Sequence, residues 1–184
     1  AATFALDQID EGLRDPTQVN RLLQVPLLGS VPDVEDSDVL QLLQDAKSSL
    51  SESYLSIRSN LAFSTDHGVP RTLMVTSTRP AEGKSTTSFA IAAVLSRTGK
   101  KVLLIDADMR SPSMHQFTGQ ANKMGLSNFL AGENDWKQLV LDAGVKGLWV
   151  DVEDQADVLG AVDVEDFPTL LISRGDEVLF FGPV

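Results

Sequence analysis

The sequence predicts an α/β protein with three layers, in which helices cover both faces of a central, mostly parallel sheet. Short apolar runs alternate with segments of helical periodicity, as such a fold requires. The run at 102–105 is apolar throughout, which is typical of a strand buried on both faces. Near the end, the runs at 167–172 and 177–181 are joined by four polar residues that include a glycine. This spacing predicts an antiparallel hairpin.

The composition is that of a soluble globular protein, with 42% hydrophobic and 22% charged residues. No apolar run approaches the roughly 20 residues that cross a bilayer, and no signal-peptide pattern opens the sequence. A cytoplasmic location is therefore expected. The absence of cysteine excludes disulfides, thiolate metal sites and thiol redox chemistry. Two histidines are too few to suggest a histidine metal cluster.

The formal net charge of −11 is unevenly distributed. From Asp151 onward there are nine acidic residues and one basic residue, Arg174, whereas the rest of the chain is close to neutral. This distribution argues against a nucleic-acid partner. It indicates either a change of origin near residue 150 or an acidic, solvated face.

Helical periodicity predicts two helices before the first strand. The first is an amphipathic helix over residues 1–15, and the second is a long helix over 37–64 with Ser37 as its N-cap. Between them, two prolines hold the segment 26–32 extended. The apolar side of the long helix is predicted to consist of Val39, Leu42, Leu43, Ala46, Leu50, Tyr54, Ile57 and Leu61.

The stretch 72–87 has the pattern of a phosphate-binding loop between a strand and a helix. An apolar run ends at Ser77, a loop containing Gly83 follows, and a helical pattern continues to residue 96. The general motif has a glycine at the position of Thr78. The alternative interpretation is a strand-to-helix turn that merely uses Gly83.

In the functional interpretation, the backbone N–H groups of residues 81–86 surround a β-phosphate at the positive end of the helix dipole. Lys84 reaches the β- and γ-phosphates, and the Ser85 hydroxyl binds Mg²⁺. ATP or ADP with Mg²⁺ is thus the expected ligand. The nucleotide-binding residues predicted on this loop are Arg79, Ala81, Glu82, Gly83, Lys84, Ser85 and Thr86.

Two carboxylates, Asp106 and Asp108, follow the buried run 102–105. Strand, helix and strand here predict a βαβ unit with a right-handed crossover, and such sheets bind ligands at the carboxyl ends of their strands. We therefore predict Ser85 and Asp106 as metal ligands, and Lys84, Asp106 and Asp108 as catalytic residues. The alternative for Asp106 is a strand-end residue that caps the next turn.

The remaining pattern predicts short elements separated by glycines. Helices are expected at 112–117, 126–131 and 135–141, a third strand at 148–152, and a further helix at 155–162.

Several of these motifs occur together in one known family. The segments concerned are 25–32, 76–86 (Walker A), 103–110 (Walker A′, an apolar triplet followed by D-x-D-x-R) and 124–133. Residues 1 to about 145 resemble the cytoplasmic domain of bacterial tyrosine kinases attached to exopolysaccharide chain-length regulators, in which Thr78 is no anomaly. The resemblance implies ATP- and Mg²⁺-binding or catalytic roles for Lys84, Ser85, Asp106 and Asp108, and it matches Arg110 to the arginine of the motif.

The chain departs from that family at three points. The Walker B string is missing, with Leu148-Trp-Val-Asp151 as its nearest equivalent, and Tyr54 is the only tyrosine, so the tyrosine-rich tail is absent. Phosphotransfer is therefore expected to be impaired. The oligomerisation pattern E-x-x-R-x-x-R has Leu55 in place of its middle arginine, and leucine makes none of the bonds of a guanidinium. A monomer is expected; the family sits beside a membrane protein.

The C-terminal part has a second resemblance. Segments 150–154, 164–172 and 175–182 are similar to the second half of a thioredoxin, with Pro168 at the position of its cis-proline. Without cysteine, this resemblance implies architecture and no dithiol activity. We thus expect a composite chain, engineered or recombined, with a kinase-like part at 1–145 and a thioredoxin-like part at 146–184 packed as one domain.

Three functions remain open from the sequence. The first is a Mg-ATP-binding domain of kinase ancestry, and the second is a non-catalytic chimeric scaffold with a vestigial nucleotide site. The third is an ATPase of the partitioning or septum-placement type. It is disfavoured because that type carries an additional lysine near the start of Walker A, which Thr78-Arg-Pro80 does not supply.

Overall fold

The computed structural model describes residues 16–34, 39–45, 47–77, 79–132, 136–151 and 169–172. Several sequence predictions lie outside the described residues. They concern the helix at 1–15, Ser37, Thr78, the helix at 155–162, Pro168 and the strand at 177–181.

A five-stranded sheet forms the centre of the described structure, with the strand order β1-β5-β2-β4-β3. Only β2 and β4 pair in parallel; the other three pairs are antiparallel. The sheet is therefore mixed, and the prediction of a mostly parallel sheet is wrong for these strand pairs. The strands are β1 (Thr72–Val75), β2 (Val102–Ile105), β3 (Val140–Asp142), β4 (Leu148–Asp151) and β5 (Thr169–Ile172).

The last described strand, β5, lies between β1 and β2. Leu171 is opposite Leu73 of β1 on one side and opposite Leu104 of β2 on the other. The strands β1 and β2 thus run in the same direction, as the βαβ prediction requires, but they are not neighbours. Because both sides of β5 are hydrogen-bonded, β5 has no edge left for the second strand of the predicted hairpin.

Six α-helices accompany the sheet in the described ranges. The predicted long helix at 37–64 is instead two helices, because Ser48 starts a new one. Its hydroxyl accepts a hydrogen bond from the Ser51 backbone N–H at 3.0 Å, as an N-cap does, and donates to the Leu42 carbonyl. The helices are α1 (Thr17–Leu23), α2 (Val39–Gln44), α3 (Ser49–Phe63), α4 (Lys84–Ser96), α5 (Met114–Thr118) and α6 (Leu126–Leu130).

The predicted helix at 135–141 is also wrong. A single 3₁₀ turn (Trp136–Gln138) is followed by β3, in which Leu141 lies opposite Val150 of β4. A three-residue antiparallel strand has too short a pattern to identify from sequence, and pairing with β4 decides its conformation. The predicted strand at 148–152 and the helices near 112–117 and 126–131 are confirmed with small shifts in their ends.

The core lies around α4, which contacts α3 on one side and the strands β2 and β5 on the other. Ala90 and Ala92 are fully buried and let these elements approach closely. The apolar side predicted for the segment 37–64 is confirmed at its most buried positions, which are Leu43, Leu50, Tyr54, Ile57 and Leu61.

The segment before α2 contains neither helix nor strand over residues 26–34, and it packs on α3. A Cβ atom on Gly29 would lie 2.6 Å from Cγ1 of Ile57, so any larger residue at this contact would force the Ile57 side chain to shift. The Asn60 side chain donates to the Leu28 carbonyl at 2.8 Å. The segment is thereby held near the loop that follows β1. Within the described ranges, no helix combines the length and apolar character needed to span a membrane.

Candidate functional site

The loop between β1 and α4 has the backbone of an anion-binding turn. Ala81 and Gly83 have φ angles of +63° and +78°, in the left-handed region. A Cβ on Gly83 would meet nothing within 4 Å, so the backbone conformation and not space favours glycine there. Residues 79–83 are exposed, and no side chain caps the N-terminus of α4. The first N–H groups of this helix are thus available to a ligand.

Lys84, the first residue of α4, is directed back over the loop. Its Nζ donates to Oγ of Ser77 at 3.0 Å, and Ser77 Oγ donates to the Arg79 carbonyl at 2.7 Å. Lys84 is half-buried, so its ammonium group is held near the loop by these contacts. The ammonium group is therefore placed where it could meet a phosphate bound by the loop.

The carboxylate of Asp106 is fully buried at the end of β2. Its Oδ2 accepts hydrogen bonds from the backbone N–H groups of Ser113 (2.7 Å) and Met114 (2.9 Å), and its Oδ1 accepts one from Asp108 (3.2 Å). Burial raises the pKa of Asp106, and the three backbone hydrogen bonds oppose that shift. The negative charge of Asp108 adds a smaller rise to this pKa. Asp106 thus caps the start of α5, the alternative role that the sequence offers for it.

Ser113 connects this carboxylate to the phosphate-binding loop. Its hydroxyl donates to Oγ of Ser85 at 2.7 Å, while its backbone N–H donates to Asp106. Ser85 and Asp106, which the sequence predicts as metal ligands, therefore lie on the same edge of the sheet. Both are hydrogen-bonded to Ser113.

The other predicted site residues lie around this centre. Asp108 is half-buried, and its Oδ1 accepts from the Ser111 backbone N–H at 3.0 Å. Arg110 is exposed two residues further on. Arg79 is exposed, and its backbone N–H donates to Oε2 of Glu82 at 3.2 Å, a contact that closes the loop.

A cavity of about 430 Å³ lies beside the loop. It is lined by Gly83 and Thr86, by Pro32 of the segment before α2 and by Tyr54 of α3. Tyr54 is 1% exposed and its hydroxyl is 3.1 Å from Oγ1 of Thr87. Burial raises the pKa of Tyr54, and the bond to Thr87 partly opposes the shift. The only tyrosine of the chain is thus almost fully buried, and its hydroxyl is engaged with Thr87.

Sequence reasoning missed three residues of this site: Ser77, Ser113 and Tyr54 in its contact with Thr87. Ser77 precedes the loop, and nothing in the motif requires its side chain. The run Ser111-Pro-Ser113 indicates a helix start, but no pattern predicts that the Ser113 hydroxyl turns toward Ser85 instead of capping α5. Contacts between residues distant in sequence carry no local signal.

The raised pKa of Asp106 gives the stability of the nucleotide-free protein a defined pH dependence. A carboxyl with a raised pKa in the folded state stabilises the fold below the pKa of the unfolded state and loses that contribution as pH rises through the folded value. The free energy of unfolding should thus fall as the pH rises above about 4. In Asp106→Asn, whose side chain cannot ionise, this contribution to the decrease should be absent. Urea unfolding at several pH values, without Mg²⁺, measures this. A difference between the two proteins that is constant with pH would contradict the prediction.

A strand, a glycine-containing loop with a lysine, a helix and a carboxylate at the end of a parallel strand together define a P-loop nucleotide-binding domain. A family model described as the CobQ/CobB/MinD/ParA nucleotide binding domain matches residues 73–167, just over half of the chain. The chain belongs to this family. The match continues past residue 145, where the sequence predicts the kinase-like part to end.

Curated relatives include bacterial tyrosine kinases. The chain is 37% identical over 131 residues to the tyrosine-protein kinase YwqD of Bacillus subtilis, covering 71% of this chain and 52% of that protein. It is 36% identical over 102 residues to the putative tyrosine-protein kinase CapB of Staphylococcus aureus, covering 55% and 45% of the two chains. The chain therefore spans about half the length of these relatives.

Solved structures show the same similarity. The kinase domain of the Escherichia coli tyrosine kinase ETK superposes with a TM-score of 0.70 at 25% identity, covering 82% of this chain and 63% of that one. The chimerical protein CapA2B2 superposes with a TM-score of 0.68 at 28% identity, covering 82% and 66%. The fold of this chain is thus similar to that of the kinase domain of a bacterial tyrosine kinase.

Proposed function

We propose that this chain binds ATP and ADP together with Mg²⁺, using the loop after β1 and the carboxyl end of β2. The observation that supports this most directly is the hydrogen-bonded connection from Ser85 through Ser113 to Asp106, beside an exposed loop with Lys84 at its end. A nucleotide needs hydrogen-bond donors for its phosphates beside oxygen ligands for its Mg²⁺, and the exposed loop adjoins the connection from Ser85 to Asp106.

The side chains at this edge fit the proposed ligands. Mg²⁺ prefers oxygen ligands and is usually bound by one or two protein groups together with phosphates. Ser85 and Asp106 supply a hydroxyl and a carboxylate. The described ranges contain no group of three or more histidine and acidic side chains arranged to hold a metal, so this ion would depend on the nucleotide for its other ligands.

In this proposal each residue has a limited task. The N–H groups of residues 81–86 and the ammonium group of Lys84 bind the phosphate oxygens, and the exposed Arg110 contributes a further positive charge to the same ligand. Mg²⁺, when bound, supplies positive charge to the β- and γ-phosphates. Asp108, two residues after Asp106, acts as a base or as a second contact to the metal.

Phosphotransfer to tyrosine is expected to be weak or lost in this chain. The family-type Walker B string is absent from the sequence, and the Tyr54 side chain is almost fully buried with its hydroxyl 3.1 Å from Oγ1 of Thr87. Leu55, at the middle position of the oligomerisation pattern, packs partly buried against the core. It therefore cannot replace an arginine at a subunit contact, and we expect a monomer. Because ATP is abundant in the cytoplasm, a site of this kind would operate there.

The second candidate is a composite scaffold in which the nucleotide site is vestigial. The observation that favours it is the position of β5, which belongs to the part predicted to be thioredoxin-like and runs antiparallel between β1 and β2. In this case residues 1–145 and 146–184 would share one sheet without a common functional origin. The thioredoxin-like origin and the chimeric nature of the chain remain a hypothesis.

Calorimetric titration of the protein with ADP in the presence of Mg²⁺ separates the two candidates. Binding with one site per chain is the expected result for a nucleotide-binding domain. The absence of heat at millimolar ADP, confirmed at a second temperature to exclude a zero enthalpy, would contradict the proposal and favour the scaffold.

A further inference from the structure

The Ser113 side chain occupies a position that no part of the phosphate-loop motif accounts for. It is the N-cap residue of α5, yet its hydroxyl makes no capping hydrogen bond and is directed instead to Ser85, 28 residues earlier in the chain. The capping role at this helix is taken by the Asp106 carboxylate, which accepts the N–H groups of Ser113 and Met114. The Ser113 hydroxyl is thus not needed to cap α5 and is available to Ser85.

A serine hydroxyl that binds a cation does so with an oxygen lone pair, and it then has its proton left to donate. A nearby acceptor favours the rotamer in which that lone pair faces the metal. Oγ of Ser113, 2.7 Å from Oγ of Ser85, is such an acceptor. Because a hydroxyl rotates about its C–O bond, the same pair also forms a hydrogen bond with Ser85 as the donor.

We propose that Ser113 is a positioning residue of the Mg²⁺ site, which orients the Ser85 hydroxyl through its own hydroxyl and the Asp106 carboxylate through its backbone N–H. This inference rests on the proposed nucleotide-binding function and assigns to it a residue outside the loop. Ser113 acts through both proposed metal ligands and contacts neither the phosphates nor the metal. Residues that hydrogen-bond to metal ligands commonly affect the affinity for the metal.

The test compares ADP binding with Mg²⁺ and with EDTA, so that the contribution of the metal is measured separately from that of the phosphates. In Ser113→Ala, the backbone N–H to Asp106 remains and only the hydroxyl is lost. We expect its ADP affinity in EDTA to equal that of the unmodified protein, and the gain in affinity on adding Mg²⁺ to shrink by about three- to tenfold, the effect of one hydrogen bond. Ser113→Thr, which keeps a hydroxyl, should restore the gain.

Thr118→Val is the matched control. Thr118 is a half-buried hydroxyl residue on the same helix, and its Oγ1 donates to the Met114 carbonyl and not to Ser85. The Thr118→Val variant should bind ADP with the affinity of the unmodified protein, both with Mg²⁺ and with EDTA. If Ser113→Ala does not fold, Ser113→Gly removes the same hydroxyl and is measured in its place.

The outcomes distinguish the two proposals. If the unmodified protein binds ADP and gains affinity from Mg²⁺, but Ser113→Ala gains as much, the role of Ser113 is wrong and the proposed function stands. An equal loss with Mg²⁺ and with EDTA would also overturn this role, because it would indicate general disruption of the loop. No ADP binding by the unmodified protein would overturn both.

Discussion

Lys84→Met is expected to lower the affinity for Mg-ADP between about 10-fold and about 150-fold, the loss of one hydrogen bond to a charged group. Methionine is close to lysine in length and is apolar, so the substitution removes the charge with little change in volume. The Lys84 ammonium group contacts the loop through Ser77, a single bond at the surface of the site. The thermal stability without ligand should therefore change little.

Lys100→Met is the matched control for this experiment. It makes the same change of charge at an exposed position beyond the opposite end of α4. Calorimetric titration of both variants with Mg-ADP, together with thermal unfolding, measures the two effects. Equal affinities in Lys84→Met and Lys100→Met would show that the loop does not bind phosphate through Lys84, which is the result that the scaffold hypothesis predicts.

Leu104→Ala should lower the free energy of unfolding by about 2–5 kcal/mol, the range for truncating a fully buried leucine. Leu104 is 0% exposed, and its strand is paired on both sides, opposite Leu171 of β5 and Val150 of β4. The cavity left by the substitution would lie against α4. The neighbouring side chains are held in place by close packing, so they cannot move to fill the cavity.

Met74→Ala on β1 is the control for this truncation. Met74 is 53% exposed, so the variant should change the free energy of unfolding by less than about 1 kcal/mol. Urea unfolding of both variants, followed by circular dichroism, provides the comparison. If the two substitutions lower the free energy of unfolding by the same amount, the placement of β2 at the centre of this sheet is incorrect.

Features that depend on neighbouring residues were predictable from the sequence. The boundaries of β2 agree with the prediction because four consecutive apolar residues end at a carboxylate pair. The start of α4 at Lys84 follows from the motif, and the burial of one side of α3 follows from its 3.6-residue period. The proximity of Ser85 and Asp106 followed from the rule that ligands bind at the carboxyl ends of parallel strands.

Features that depend on pairing between distant segments were not predictable. The four-residue strand β5 has the same apolar pattern whether it pairs as a hairpin or enters the gap between β1 and β2. The break between α2 and α3 depends on a contact of Ser48 with Leu42, and serine within a helix has no fixed consequence. The link through Ser113 likewise joins residues 28 positions apart.

The place of β5 also constrains the order in which this molecule can assemble. When a ribosome has released the chain only as far as β4, the strand that will lie between β1 and β2 is still missing. β1 precedes the phosphate-binding loop and β2 precedes Asp106, and each has an unpaired edge at this stage. Such open edges attract other chains. The nascent protein must therefore wait for a segment that follows β4 to join the two halves of its candidate site, and contacts of this sequence separation form slowly.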